Sequence, residues 1–101
     1  MIRKIKLSKR ALNKLDKLLE YLEKEWSLKV KNDFIKKLDK SLNLIKENPD
    51  YFQKSISVKG LHRCVITKHI TIFYRYDNKF IYVVTLFDTR QDPKRLKKEI
   101  K

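Results

Sequence analysis

Apolar residues recur at helical spacing in the first half of the chain and alternate in the second. Ala11, Leu15, Leu18, Leu22 and Trp26 fall on one helical stripe, joined by Leu12 and Leu19. Val30, Phe34, Ile35, Leu38, Leu42 and Ile45 form the stripe of a second helix. Only Ser27-Leu28-Lys29 separates them, so the pair is expected to make an antiparallel hairpin. Ser8 is suited to cap the first helix by accepting from its first-turn amides. Leu7 and Leu12 bracket that cap as a hydrophobic staple. Asn48-Pro49 ends the second helix, because the residue before proline is driven out of helical geometry. Met1–Leu7 reads as a short opening strand.

Leu61–Thr67, Ile70–Tyr76 and Lys79–Phe87 read as three strands, with turns at Lys68-His69 and Asp77-Asn78. Pro93–Lys98 predicts a short terminal helix, with Asp92 as its cap and Pro93 as its first residue. The fold class is therefore α+β in the order β-α-α-β-β-β-α. The first strand and the helical hairpin pack on a mainly antiparallel sheet. A chain of 101 residues has surface to bury for one domain, spanning 1–101, and not for two.

With two-residue turns the register follows. Ile70, Ile72, Tyr74, Ile81, Val83 and Phe87 are expected to face the hairpin. Thr71, Phe73, Arg75, Phe80, Tyr82, Val84 and Leu86 then face away, with His62, Cys64 and Ile66 from the preceding strand. That second face is also apolar, and its expected cover is the terminal helix or a partner.

Charge changes this picture most. Lys and Arg number 26 against 12 acids, a formal net charge of +14. Residues 1–50 carry 14 basic and 8 acidic groups, and residues 51–101 carry 12 and 4. Such a surface attracts nucleic acid, anionic membrane or an acidic protein. No apolar run reaches the length of a membrane span, and the opening "MIRKIKLSKR" lacks the apolar stretch of a signal peptide. With a lone Cys64 and no internal disulfide, the expected location is the cytoplasm.

Candidate chemistry is sparse. His62-x-Cys64, with His69 in a turn, falls short of the four ligands of a zinc site, and reads as a buried cysteine beside a surface histidine. Gly60 is the only glycine, so there is no phosphate loop. No metal or cofactor is expected. What remains is cationic: Arg63, Arg75 and Arg90 lie on or beside the sheet among Tyr74, Tyr76 and Tyr82. Arginine near aromatic rings suits phosphate contacts and stacking, or carboxylates of a protein partner.

The opening "IKLSKRALNKLDKLLEYLEKEW", then "ENPDYF", then "ITIFYRYDNKFIYVVTLFDTRQDPKRL" resemble the RelE/ParE superfamily of bacterial toxins across nearly the whole chain. "IFYRY" on the middle strand and "FDTRQDP" after the last are the most telling pieces. The resemblance implies a toxin neutralised by an acidic antitoxin, docking on Phe73, Arg75, Tyr82, Val84 and Leu86. It leaves two targets open. ParE-like members inhibit DNA gyrase, while RelE-like members cleave messenger RNA on the ribosome without a metal.

RelE-like nucleases carry an arginine three residues before the middle-strand tyrosine. Here that tyrosine resembles Tyr74, and the position three before it is Thr71. They also tend to carry a His, Tyr or Phe near the end, where this chain has Arg90 and Gln91 and no aromatic after Phe87. If the protein is such an enzyme, Arg63, Arg75 and Arg90 are its catalytic candidates. The run Arg-x-Asp-Pro after the last strand is closer to the ParE-like branch, which implies target binding through Arg90, Gln91, Lys94 and Arg95. A basic nucleic-acid-binding module is the third reading, and predicts binding that weakens steeply with salt.

Overall fold

The computed structural model describes residues 3–54 and 60–88. The elements are β1 (Lys4–Leu7), α1 (Lys9–Glu25), α2 (Leu28–Glu47), β2 (His62–Val65), β3 (Ile70–Tyr76) and β4 (Phe80–Asp88). They form an α+β fold, with the helices packed on one face of a four-stranded sheet of order β1-β4-β3-β2. β1 runs parallel to β4, and the other neighbours are antiparallel. The terminal helix expected at Pro93–Lys98 lies outside the described residues.

The helix boundaries follow the sequence signals. Ser8 caps α1, its hydroxyl accepting from the Ala11 amide at 3.0 Å. The same hydroxyl donates to the Val84 carbonyl at 2.6 Å, so one side chain both starts α1 and fastens it to β4. Ser27 repeats the capping at α2, accepting from the Val30 amide at 3.1 Å. Asn48 closes α2 ahead of Pro49. The expected staple does not form a buried contact, since Leu7 and Leu12 are both exposed. Trp26, expected on the buried stripe, is the exposed C-cap of α1.

Ser8→Ala is expected to destabilise the protein by about 1–2 kcal/mol, because it removes a cap and a donor to a backbone carbonyl together. Urea unfolding measures this, and a loss of only a few tenths would mean that water replaces both contacts.

The sheet corrects the expected faces in two places. Val65 pairs with Thr71 and Cys64 with Ile72, so the β2–β3 turn holds three residues, 67–69, and not two. One extra residue inverts the strand. His62, Cys64 and Ile66 therefore face the hairpin, while Arg63 and Val65 face away. In β4, Val83 pairs with Tyr74 and Thr85 with Phe73, which leaves Val84 opposite no residue as a β-bulge. Beyond the bulge the alternation slips by one. Leu86, expected on the outer face, is buried under the hairpin, and Phe87, expected under the hairpin, is on the outer face. The β3–β4 turn is also displaced, to Asn78-Lys79, but by an even number of partners, so Tyr74 and Ile81 keep their expected face.

Ala11, Phe34, Leu38 and Ile45 meet Cys64, Ile66, Ile72, Tyr74, Ile81, Val83 and Leu86 in the main core. A smaller outer core joins Leu61, Phe73 and Phe87, with Val84 packed beside them. Gly60 enters β2 with φ of 87°, a left-handed conformation that a side chain would strain. Phe73 and Phe87 are each only 6% exposed, so the chain itself covers the middle of the outer face.

Candidate functional site

What the outer face does expose is a cationic and aromatic patch near the β3–β4 turn. Arg75 on β3 pairs with Tyr82 on β4, and Tyr82 in turn with Lys6 on β1. Partners in register share a face, so three neighbouring strands bring these side chains together. The Lys6 ammonium lies 4.0 Å from the centre of the Phe80 ring, and Phe80 and Tyr82 are tilted together at 5.8 Å. The Tyr82 hydroxyl donates to Asp77 Oδ2 at 3.0 Å.

Asp77 organises the turn beneath this patch. Its Oδ1 accepts the Lys79 and Phe80 amides, each at 2.8 Å, which holds the carboxyl below the usual aspartate range. Partial burial and the neighbouring Asp77 carboxylate push Tyr82 up, so its phenol stays protonated at neutral pH. The Asp77 carbonyl also accepts Arg3 Nε at 2.6 Å, tying the chain start to the turn.

Because the folded pKa of Asp77 is depressed, its contribution is present above the unfolded value and lost as pH falls through the folded one. The amide shifts of Lys79 and Phe80 are expected to titrate with a midpoint below 3.8, the ordinary aspartate value. A midpoint at or above 3.8 by NMR would show that the amide bonds are not held in solution.

Arg63 sits on the same face, one diagonal step from Arg75, but it is engaged. Its guanidinium donates to Gln53 Oε1 at 2.9 Å and its amide to the Gln53 carbonyl at 2.8 Å. Of the residues expected at the docking surface, Arg75 is exposed, Tyr82 is 37% exposed and Val84 is half-buried. Phe73 and Leu86 are buried, in different cores. Arg90, Gln91, Lys94 and Arg95 lie outside the described residues.

The hairpin face holds a second aromatic group, and it is closed. Tyr74 is fully buried and donates to the Pro49 carbonyl at 2.7 Å. Burial pushes its phenol up, with smaller contributions from Cys64 and Asp50. Tyr76 donates to Asp50, and its ring lies 5.5 Å beneath the Arg3 guanidinium. His62, expected at the surface, is 8% exposed and stacks on Tyr74 at 5.4 Å, with its Nδ1 unpartnered. Burial raises the Cys64 thiol, partly offset by a hydrogen bond from Ser41. Among the described residues no group of three or more His, Cys, Asp or Glu is placed to hold a metal. Nor is any described helix long and apolar enough to cross a membrane.

The spacing of Tyr74, Tyr76 and Pro49 along the chain gave no sign of their contact. A two-residue alternation ending in two tyrosines under a helix exit was the only trace of it.

Residues 5–93 match the model of the ParE toxin of type II toxin–antitoxin systems, parDE. The chain belongs to this family. As a ParE-family protein it is the toxin of a type II toxin–antitoxin system, a class whose toxins pair with an antitoxin protein. Toxin ParE1 of Caulobacter vibrioides is 31% identical over 71 residues, 69% of this chain and 73% of that protein. In structure the ParE-family chain is similar to the chromosomal ParDE system of P. aeruginosa, with a TM-score of 0.72 at 10% identity, over 86% of this chain and 96% of that one. It is also similar to YafQ of E. coli, with a TM-score of 0.56 at 18% identity, covering 87% and 94% of the two chains. Protein HP0894 of Helicobacter pylori gives a TM-score of 0.57 at 23% identity over 90% and 98%. At these identities the structural likenesses speak for the fold.

Proposed function

We propose that this toxin acts by binding and inhibiting DNA gyrase, and that an acidic antitoxin neutralises it. The observation that carries the target is the state of Tyr74. A nuclease working on this sheet needs a group to activate the 2′-hydroxyl and a cation to stabilise the developing charge. The middle-strand tyrosine instead has its hydroxyl sealed beneath the sheet on the Pro49 carbonyl. Arg63 is engaged by Gln53, and the Tyr82 phenol is raised. These features support action through protein recognition, with Arg90, Gln91, Lys94 and Arg95 as the target-binding set after β4.

Ribosome-dependent cleavage of messenger RNA is the second reading. The Arg75–Tyr82–Asp77 arrangement favours it, since it sets a cation beside a phenol and a carboxylate. For the antitoxin, the net charge of +14 supports an acidic partner, and Arg75, Tyr82 and Val84 offer it an accessible outer surface.

Induction of the toxin without its antitoxin, with plasmid supercoiling and transcript 5′ ends followed in one culture, separates the targets. Lost supercoiling with intact transcripts is the expected result. Codon-phased transcript cleavage with normal supercoiling would replace gyrase by messenger RNA.

A further inference from the structure

One side of β4 is lined with cations from end to end. Lys4 pairs with Phe80 and Lys6 with Tyr82. Where β1 stops, α1 takes over: Ser8 reaches the Val84 carbonyl at 2.6 Å and Lys14 the Leu86 carbonyl at 3.1 Å. Lys14 and Lys17 then lie beside Phe87 and Asp88. At about 3.3 Å per strand residue, the row from Phe80 to Asp88 is about 26 Å long.

Lys4, Lys6, Lys9, Arg10, Lys14 and Lys17 make up this row, with Asp16 the only acid between positions 4 and 17. All six but Lys14 are exposed. Arg10, Lys14 and Lys17 follow at i, i+4 and i+7, one stripe of α1. The hairpin's ion pairs, Glu20–Lys24 and Glu23–Lys31, lie further along the helices. Lys9 and Arg10 occupy the first turn of α1, where positive charge opposes the helix dipole, so they do not serve the helix's own stability. A line of separate cations suits a polyanion of regular spacing, and duplex DNA presents one phosphate per about 3.4 Å of each strand. The row also ends where the target-binding set begins, since Arg90 follows Asp88 by two residues. Gyrase bound at that end holds a DNA duplex, which the row is placed to meet.

We infer that this row binds the phosphate backbone of the DNA held by gyrase, so that the toxin recognises the enzyme–DNA complex and not the enzyme alone. Lys4, Lys6, Lys9, Arg10 and Lys17 meet phosphates, while Lys14 stays on the Leu86 carbonyl and keeps α1 in place. Contacts of this kind position the protein and carry no base specificity. The inference rests on the gyrase reading above and adds DNA as the second component of the target.

The test measures binding of purified toxin to gyrase with and without a bound linear duplex, and to the duplex alone, across a range of salt. Lys9→Gln, Arg10→Gln and Lys17→Gln together take three exposed cations from the row. Lys29→Gln, Lys36→Gln and Lys40→Gln take three exposed cations from α2 and leave the same net charge. At low salt, DNA is expected to tighten gyrase binding about tenfold or more for the parent and the α2 variant, and less than about threefold for the row variant. On the duplex alone, the slope of log K against log salt is expected to fall by about 2–3 for the row variant and by less than about 1 for the α2 variant. The row variant is expected to melt no lower than the parent. Should it unfold, Lys4→Gln with Lys9→Gln replaces it, with an expected loss of about 2 in the slope. Equal losses in the row and α2 variants would reduce the effect to net charge and overturn the inference. Binding to gyrase that DNA does not tighten overturns it too, and leaves the gyrase reading standing. Preference of the row for duplex RNA over DNA of the same length would assign it to RNA and overturn it. Failure to bind gyrase with or without DNA removes the gyrase reading, and the inference with it.

Discussion

Tyr74→Ala is expected to bring the toxin close to unfolding, at a cost of about 4 kcal/mol. The ring is fully buried at the centre of the main core, between the helical hairpin and β2. Truncation removes its apolar area, leaves a cavity and unstacks His62, whose ring lies 5.4 Å away. It also orphans the Pro49 carbonyl at the exit of α2. A domain of this size holds about 5–15 kcal/mol in all, so the loss takes from about a quarter to most of the margin. Tyr74→Phe divides the effect, because it keeps the ring and loses only the hydroxyl. That variant is expected to cost about 1–2 kcal/mol. Urea unfolding of both proteins provides the numbers. A phenylalanine variant as stable as the parent would mean that Pro49 finds another donor, and Tyr74 would then be a packing residue only.

The pair of substitutions also bears on function. If Tyr74 serves as a buried strut, Tyr74→Phe retains toxicity at temperatures where it is folded. If its hydroxyl took part in RNA cleavage, the same variant would lose activity while remaining folded.

The helices of this fold were legible because their signals are local. Ser8, Ser27 and Asn48-Pro49 mark ends, and the stripes from Ala11 to Leu22 and from Phe34 to Ile45 need only a period of 3.6. The strands are legible as strands, and the apolar alternation of β3 runs over the whole of Ile70–Tyr76. Their facing was harder. Both faces of the central strands carry apolar side chains, Ile72 and Leu86 on one and Phe73 and Phe87 on the other. Hydrophobic alternation therefore does not say which set goes inward, and parity rests on counting turn and bulge residues. One extra residue in the turn at 67–69 inverted β2, and the unpaired Val84 inverted the end of β4.

The bulge has a physical partner that the sequence does not advertise. The carbonyl of Val84 is the one that Ser8 reaches, at 2.6 Å, from the start of α1. A bulge that frees a carbonyl and a serine that must cap a helix solve each other's hydrogen bonding. The pairing of β1 with β4 was equally hidden, since a parallel contact across more than seventy residues leaves no local pattern. Its position next to β4 is what carries Lys4 and Lys6 to the outer patch, a neighbourhood absent from any reading of the strands one at a time.

Arg90→Ala is expected to leave folding within about 0.5 kcal/mol of the parent and to weaken gyrase inhibition about 30-fold. Arg90 follows β4 in the sequence, and exchange of a single charge away from packed or paired features usually changes stability by no more than about 0.5 kcal/mol. At a protein interface arginine is among the residues whose loss costs 2 kcal/mol or more, because its planar fork makes paired hydrogen bonds that alanine cannot replace. Arg63→Ala and Arg75→Ala are the informative controls. Arg63 is bound to Gln53 and Arg75 belongs to the outer patch, so in the gyrase reading neither exchange weakens inhibition more than a few-fold. Under RNA cleavage the order reverses: the two sheet arginines stabilise the charge on the phosphate and their loss abolishes toxicity. Inhibition of supercoiling by the three purified variants, with growth arrest scored alongside, distinguishes the two orders. If Arg90→Ala retained full inhibition while Arg75→Ala lost it, the target-binding edge would have to be moved from the end of β4 to the sheet face.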